Sequence, residues 1–479
     1  MNYSMILYIL GHLLKVESIF LLLPSVTGLI YRETEGRSFF VVALLTFVLG
    51  SLMTLKQPKS RHLYTKDGSV TVALGWIVLS IFGALPFVLC GDIPFYVDAL
   101  FETISGFTTT GSSILNDVEA LSHASLMWRS FTHWVGGMGV FVLILSLLPL
   151  LGGSTMQLMK AESPGPSVDK FVPKVKDTAK LLYSIYIVIT LAQILCLLLS
   201  GMPLFDTLTL TFGTVGTGGF GVKNDSLASY TALQQNIITV FMLISGINYS
   251  AYFLIISKKI GEALRMEEVR WYFGIVLASV AVITLNTLPL YSGIAETLRH
   301  AFFQVGSIVT TTGFSSTDFN LWPELSKTIL VLLMIMGACA GSTAGGFKIS
   351  RLLILIKSIK IELSGMIHPH EVKKIRMDGH VVKPEVLRSA HVYLIIYWSF
   401  FLLSVLLISI DNFDFTTNFT AVAATFNNIG PGLNGVGPVS NFSCYSVFSK
   451  FILMSGMLVG RLELYPIIIF MMPSTWKHK

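Results

Sequence analysis

Ten apolar runs, at about 5–30, 38–56, 70–91, 124–151, 179–201, 233–257, 270–292, 325–345, 390–410 and 450–472, leave this 479-residue chain few ways to fold. A helix needs about 20 apolar residues to cross the hydrocarbon core of a bilayer, and most of these runs are that long. Charged residues make up only 13% of the chain, against roughly 25% in soluble domains. The chain therefore reads as an all-α polytopic membrane protein. Its first run is too long for a signal-peptide core and lacks a small-residue cleavage site, so it is read as a retained helix.

Charge placement sets the expected topology. Alternating the runs from a cytoplasmic N-terminus puts segments 56–69, 152–180, 258–270, 348–388 and 473–479 inside, and these hold 24 of the 33 Lys and Arg residues. The outer connections carry Asp92, Asp117, Glu119, Asp225 and Asp318. This is the asymmetry of an inner-membrane protein with both ends in the cytoplasm. The net charge of +6 is thereby topological, and no nucleic-acid partner is expected. Cys90, Cys196, Cys339 and Cys444 sit in or beside apolar runs without CxxC spacing and read as small buried hydrophobes. "HPH" at His368–His370 has no further ligand cluster and reads as a solvated loop. No nucleophile–base set or metal cluster appears, so an enzyme is not expected, nor an organic cofactor.

Four polar, glycine-centred strings interrupt this apolar background: "TTTGSS" (Thr108–Ser113), "GTVGTGGFG" (Gly213–Gly221), "TTTGFSS" (Thr310–Ser316) and "NNIGPGLNG" (Asn427–Gly435). Their core glycines, read as Gly111, Gly218, Gly313 and Gly430, lie 107, 95 and 117 residues apart. Each string follows a short amphipathic stretch (Tyr96–Phe107, Leu204–Gly213, Ile294–Ile308, Asp414–Phe426) and precedes a long apolar run. Asp98, Glu102, Asp206, Glu296 and Asp414, toward the N-terminal halves of these stretches, read as acids placed at the positive end of a helix dipole. A proton-carrying role is the sharper alternative.

Non-helical backbone at membrane depth is tolerated only where it is buried in protein or lines a watery cavity. Four glycine loops around one axis would present a ring of backbone oxygens in place of an ion's hydration shell. None of the four strings contains Asp or Glu, which favours a monovalent over a divalent cation. Close helix packing would account for one such string, but not for four in the same setting.

Together with "AESPGP" (Ala161–Pro166), "FFQV" (Phe302–Val305), "GACAGSTAGGFK" (Gly337–Lys348) and "GRLELYP" (Gly460–Pro466), the strings resemble the Trk/Ktr/HKT superfamily of potassium transporters, in its bacterial TrkH-type branch. The match runs almost end to end and includes the extra N-terminal helix pair of that branch. The resemblance implies four pseudo-symmetric helix–pore loop–helix repeats around one pore. The expected division is 1–64 for the N-terminal pair, then 65–175, 176–265, 266–385 and 386–479 for the repeats. It implies a potassium-binding filter of backbone from Thr109, Thr110 and Gly111; Gly216, Thr217 and Gly218; Thr311, Thr312 and Gly313; and Asn428, Ile429 and Gly430. Potassium is the expected transported ion because all four glycines are present. The second string has Gly216 where the first and third have Thr109 and Thr311, and the fourth has no threonine. This asymmetric ring is expected to discriminate more weakly, with rubidium passing too.

The resemblance also makes Gly341, Ser342, Thr343, Ala344, Gly345, Gly346 and Lys348 an intramembrane gating loop below the filter; close helix packing of the small residues is the alternative. By the same resemblance Arg461, about eleven residues into the last apolar run, points into the pore below the filter and helps set the gate. A structural ion pair with a buried acid is the alternative, for which Glu463 is poorly placed, being two residues away on a helix. The chain has no P-loop and no GxGxxG in a βαβ setting, and its largest inner connection is too short for a nucleotide-binding domain. The resemblance implies a homodimer in the bilayer and a cytosolic, ring-forming, TrkA-type nucleotide-binding subunit, with Lys348–Arg388 as a docking surface. A carrier coupling potassium to protons or sodium is the competing function, although no clear central carboxylate is visible. A membrane scaffold would leave the strings without a purpose.

Overall fold

The computed structural model describes residues 1–58, 60, 63–139, 175–368 and 373–476. Ala161–Pro166, positions 140–151 of the fourth apolar run, most of inner segment 152–180 and Pro369–His370 lie outside these residues. The described chain is helical apart from one two-stranded hairpin, Arg376–Met377 with His380–Val381.

Among the described residues, six helical stretches are long and apolar enough to cross a membrane: Tyr3–Tyr31, Gly36–Thr54, Thr65–Cys90, Lys180–Leu199, Glu267–Leu290 and Pro384–Asp411. The first two form the N-terminal pair. Their faces meet at glycines, since a β-carbon on Gly50 would lie 2.6 Å from the Gly11 carbonyl oxygen. Small residues let two backbones approach this closely where no hydrophobic effect drives helices together. The four later spans are each followed by a short helix: Tyr96–Phe107, Leu204–Val215, Ile294–Val309 and Phe415–Phe426. These occupy the four amphipathic stretches and end at the glycine strings. Large side chains such as Val188, Leu191 and Leu406 face outward from the long spans, as a lipid-facing surface requires.

The helix after each string departs from expectation. Runs 233–257, 325–345 and 450–472 read as continuous spans, yet the helices found there are Ala232–Ser245, Glu324–Met336 and Val447–Arg461. With His123–Met138 of the first repeat, they have 16, 14, 13 and 15 residues in chain order. At 1.5 Å per residue that is about 20–24 Å, short of the roughly 30 Å hydrocarbon core. Three of them run into left-handed backbone that cannot continue an α-helix. Gly139 and Gly337 have φ of 84° and 68°. Glu463 and Leu464 have φ of 54° and 68°. In the second repeat the chain turns by 91° before resuming as Tyr249–Ile256.

One apolar core runs through the N-terminal pair, the first repeat and the fourth, so the end of the chain packs against its beginning. A second core joins the third repeat to the segment after Gly337 and to Ile429 and Leu433 of the fourth string.

Gly50→Ala should lower the apparent melting temperature in detergent, by an overpacking cost of about 1–3 kcal/mol. Gly274→Ala, where an added β-carbon meets nothing within 4 Å, should leave it unchanged or slightly raised.

Candidate pore and intramembrane loop

Each short helix hands over to its string by the same turn. The N–H groups of Thr109, Thr217, Thr311 and Asn428 each donate three residues back, to Gly106, Thr214, Ile308 and Thr425. The next N–H in each string, on Thr110, Gly218, Thr312 and Ile429, reaches five residues back. Thr109, Thr217, Thr311 and Asn428 are all left-handed, with φ between 54° and 56°. Two residues later comes a left-handed glycine: Gly111 (79°), Gly219 (85°), Gly313 (86°) and Gly430 (106°).

This register corrects the second string. Its core glycine is Gly219, and the triplet matching Thr109–Gly111 is Thr217–Gly218–Gly219. Gly216 matches Thr108 and Thr310 at the end of the short helix, where the sequence reading set it against Thr109 and Thr311. Adjacent glycines in "GTGGFG" make both registers possible on paper, and the turn geometry selects one.

The four glycines close a ring. A β-carbon on Gly111 would lie 2.0 Å from the Gly218 carbonyl oxygen, and one on Gly219 would lie 2.0 Å from that of Thr312. One on Gly313 would lie 1.8 Å from the Ile429 oxygen, and one on Gly430 would lie 3.0 Å from that of Thr110. In every case the neighbour is the residue just before the next string's glycine, in the order one, two, three, four, one. No side chain fits at Gly111, Gly219 or Gly313, one at Gly430 would be tightly crowded, and each glycine φ is one that L-residues avoid. The ring is also stitched laterally. Asn428 Nδ2 donates to Thr110 Oγ1 (2.9 Å), Ser112 Oγ donates to the Gly430 carbonyl (2.9 Å), and Ser315 N–H donates to Ser226 Oγ (3.1 Å).

Behind this common backbone the supports differ. Thr108 and Thr110 hydroxyls pair at 2.8 Å, as do those of Thr310 and Thr312. In the fourth string Tyr397 Oη donates to Asn427 Oδ1 (2.8 Å). In the second, His133 replaces the threonine pair. Its Nδ1–H donates to the Gly106 carbonyl (2.8 Å), and its Nε2 accepts the Phe220 N–H (3.3 Å). A β-carbon on Gly218 would lie 2.1 Å from the His133 ring, which explains why this string has glycines where others have threonine.

Two of the five acids exceed their helix-start reading. Glu102 lies in the middle of its helix, 1% exposed, and pairs with Arg129 at 2.7 Å. It also accepts from Ser113 Oγ (2.9 Å) and Ile114 N–H (3.1 Å), while Arg129 donates to the Gly221 carbonyl (3.2 Å). The pair thus ties the exit of the first string to the second. Asp98 pairs with Lys450 of the fourth repeat at 2.6 Å. Asp414 does cap its helix, accepting from the Thr417 N–H (3.0 Å), and the Thr417 hydrogen bonds hold its carboxyl below the usual range. Asp206 accepts from Tyr230 Oη (2.8 Å), and Glu296 from Ser292 N–H (3.2 Å).

Residues Gly337–Lys348 form a non-helical segment between the helices Glu324–Met336 and Ile349–Ile367. It touches the strings directly. Gly345 N–H donates to Thr311 Oγ1 (2.7 Å), and a β-carbon on Gly345 would lie 2.4 Å from the Asn427 carbonyl oxygen. The break in the second repeat holds its other side. Cys339 N–H donates to the Gly246 carbonyl (3.2 Å), Tyr249 N–H to Gly341 (3.0 Å), and Thr343 Oγ1 to Ser245 (3.3 Å). Lys348, buried with φ of 78°, bonds the Ala344 carbonyl. Ser342 Oγ donates to the Cys339 carbonyl (2.6 Å), and Gly346 packs against Gly337.

Arg461, the last residue of its helix, is 8% exposed. Its guanidinium donates to the Thr343 carbonyl (2.8 Å), to Gly137 (2.7 Å) and to Gly136. It therefore bridges the loop and the end of the first repeat's inner helix. Glu463 pairs instead with Arg351, whose guanidinium lies 4.0 Å above the Tyr393 ring. Among the described residues four carboxylates unremarked as central are buried: Glu17 (0% exposed), Asp67 (2%), Glu102 (1%) and Glu268 (3%). His133, Arg129 and Glu268 were not anticipated. Their one signal in the sequence is a polar side chain within or at the edge of an apolar run.

The family model described as "Cation transport protein", TrkH, matches residues 35–478. The chain belongs to the TrkH family. TrkH-family relatives named Trk system potassium uptake protein TrkH, from Salmonella typhimurium and Escherichia coli, are each 36% identical over the full length of both chains. The crystal structure of the potassium transporter TrkH from Vibrio parahaemolyticus superposes with a TM-score of 0.89 at 31% identity, covering all of both chains. The family is one of transporters, not enzymes, and this member is a multi-pass helical membrane protein.

Gly218→Thr, which copies the first and third strings, should destabilise the protein because its β-carbon meets the His133 ring. Adding His133→Ala should recover much of that loss. Melting temperatures of both single variants and the double variant test this, with non-additivity as the expected result.

Proposed function

We propose that this chain carries potassium into bacteria across the inner membrane, through a filter made of backbone carbonyls at the four-string ring. The observation that carries this reading is the closed contact of each ring glycine with a carbonyl oxygen of the next string. A dehydrated monovalent cation needs several neutral oxygens at one place, and ordered backbone supplies them without a carboxylate ring's tight grip. The relatives named as potassium uptake proteins support potassium as the ion; rubidium, a similar monovalent cation, is proposed to pass as well. A membrane potential supplies about 2.3 kcal/mol per charge per 100 mV, roughly a fiftyfold accumulation without coupling to another ion.

The Gly337–Lys348 segment is the gate in this reading. It lies against the third and fourth strings and is held by Arg461, so conduction requires it to move. Both chain ends face the cytoplasm, two copies pair in the membrane, and a cytosolic TrkA-type nucleotide-binding subunit controls the loop. Its docking surface is the basic face of Lys357, Lys360, Lys373, Lys374 and Arg376 beside the hairpin. Proton-coupled symport is the second reading, favoured by Glu17, whose buried carboxylate has no hydrogen-bond partner among the described residues.

Proteoliposomes under a negative-inside potential test the main reading. Potassium and rubidium influx should exceed sodium influx and should rise when the cytosolic subunit is added. Gly219→Ala should abolish it, because the new β-carbon meets the Thr312 carbonyl; Gly221→Ala, with no neighbour closer than 3.4 Å, should keep it. Equal influx of all three ions would sink the selectivity claim. Rubidium influx driven by a proton gradient at zero potential, and lost in Glu17→Gln, would favour symport.

A further inference from the structure

We propose that Glu268 is the positioning residue that latches the intramembrane loop below the ring, and that Asn248 completes the latch. The proposal rests on the reading of that loop as the gate. Glu268 lies in the first turn of the helix Glu267–Thr287 and is 3% exposed. Its Oε1 accepts the Ala340 N–H (2.6 Å) and the Ser350 N–H (3.1 Å). One carboxylate oxygen thus gathers backbone from near both ends of the segment, ten positions apart. Its Oε2 accepts from Asn248 Nδ2 (3.2 Å). Asn248 Oδ1 in turn accepts the Ser250 N–H (2.8 Å), capping Tyr249–Ile256 where the second repeat turns by 91°. A β-carbon on Gly341 would lie 3.2 Å from that same Oδ1.

The latch therefore joins three elements: the bend of the second repeat, the loop, and the start of the helix Ile349–Ile367. It acts on the loop's N–H groups, whereas Arg461 acts from the opposite side on the Thr343 carbonyl. Glu267, the next residue, is fixed on the cytoplasmic side: it pairs with Lys357, accepts the Asp378 N–H (3.2 Å), and its own N–H donates to Asp378 Oδ1 (2.6 Å). That anchors the helix end from which Glu268 reaches.

The hydrogen-bond polarity makes the proposal specific. Glu268 accepts at both oxygens, so only a carboxylate opposite an amide fits. Glu268→Gln would turn its amide NH2 toward the Asn248 amide NH2, donor against donor. Asn248→Asp would set two carboxylates face to face while still capping Ser250. The double variant restores one donor and one acceptor across the contact, with the polarity reversed.

Two readouts are needed. The first is alkylation of the native Cys339, fully buried in the loop, by a membrane-permeant maleimide and quantified at that residue by mass spectrometry. The second is rubidium influx into proteoliposomes without the cytosolic subunit. Each single variant should raise both, roughly tenfold or more, the effect of losing a hydrogen bond to a charged group. Glu268→Gln with Asn248→Asp should return both toward the parent protein. Glu268→Asp, which keeps the charge but withdraws it by one methylene, should act in the same direction but more weakly, and it serves if the single amide variant does not fold. Unchanged alkylation in Glu268→Gln and Glu268→Asp, or a double variant no better than the singles, overturns the latch. Raised alkylation with unchanged influx leaves the latch standing and overturns the reading of the loop as the gate.

Discussion

A carbonyl oxygen of each string crowds the place that a β-carbon on its neighbour's glycine would need, within 1.8–3.0 Å of it, and much of the surrounding structure serves that contact. Four such contacts crowd backbone carbonyls of all four strings against the glycine backbone of their neighbours. Crowded dipoles repel one another, and they stay in place only if the chain behind them is rigid. The short helices supply part of that rigidity by ending in the same hydrogen-bonded turn. Side chains supply the rest: hydroxyl pairs behind the first and third strings, a tyrosine–asparagine contact behind the fourth, and an imidazole behind the second. The Glu102–Arg129 pair, through Arg129's bond to the Gly221 carbonyl, joins the first repeat to the second, and the Asp98–Lys450 pair joins the first to the fourth. Breaking one partner of a buried pair costs about 3–5 kcal/mol, so these links are strong against single disruptions.

The inner ends of the repeats obey a second constraint. Backbone groups released from a helix at membrane depth must find partners inside the protein. Here the breaks satisfy one another. Freed carbonyls at Ser245 and Gly246 receive donors from Thr343 and Cys339, and freed carbonyls at Gly136 and Gly137 receive Arg461. The loop is thus built from the unsatisfied ends of its neighbours, which is why it lies against them and not in the lipid.

Much of this was legible in the sequence. Amphipathic spacing marked the four short helices, because a helix with one buried face repeats every three to four residues. Glycine beside threonine in four similar settings marked the ring. The register of the second string was not legible, since Gly218 and Gly219 are adjacent and only the turn distinguishes them. The broken inner helices were missed for a different reason. Hydropathy measures transfer from water and is blind to where hydrogen bonds end, so 450–472 looks continuous although Glu463 and Leu464 are left-handed. His133, Arg129 and Glu268 escaped notice because their side-chain partners lie 16 to 92 residues away in sequence. Arg461 was singled out by the cost of a charge in lipid, but its carbonyl partners emerge only from the folded chain.

The imidazole behind the second string has a consequence for how such a ring can change over generations. A ring assembled from four identical subunits receives every substitution four times, so any alteration behind its backbone is all or nothing. Here the four quarters are encoded separately, and a different residue already stands behind the second quarter without disturbing the shared backbone turn. Selection can therefore adjust one quadrant at a time, in small steps, while the other three hold the shape of the whole.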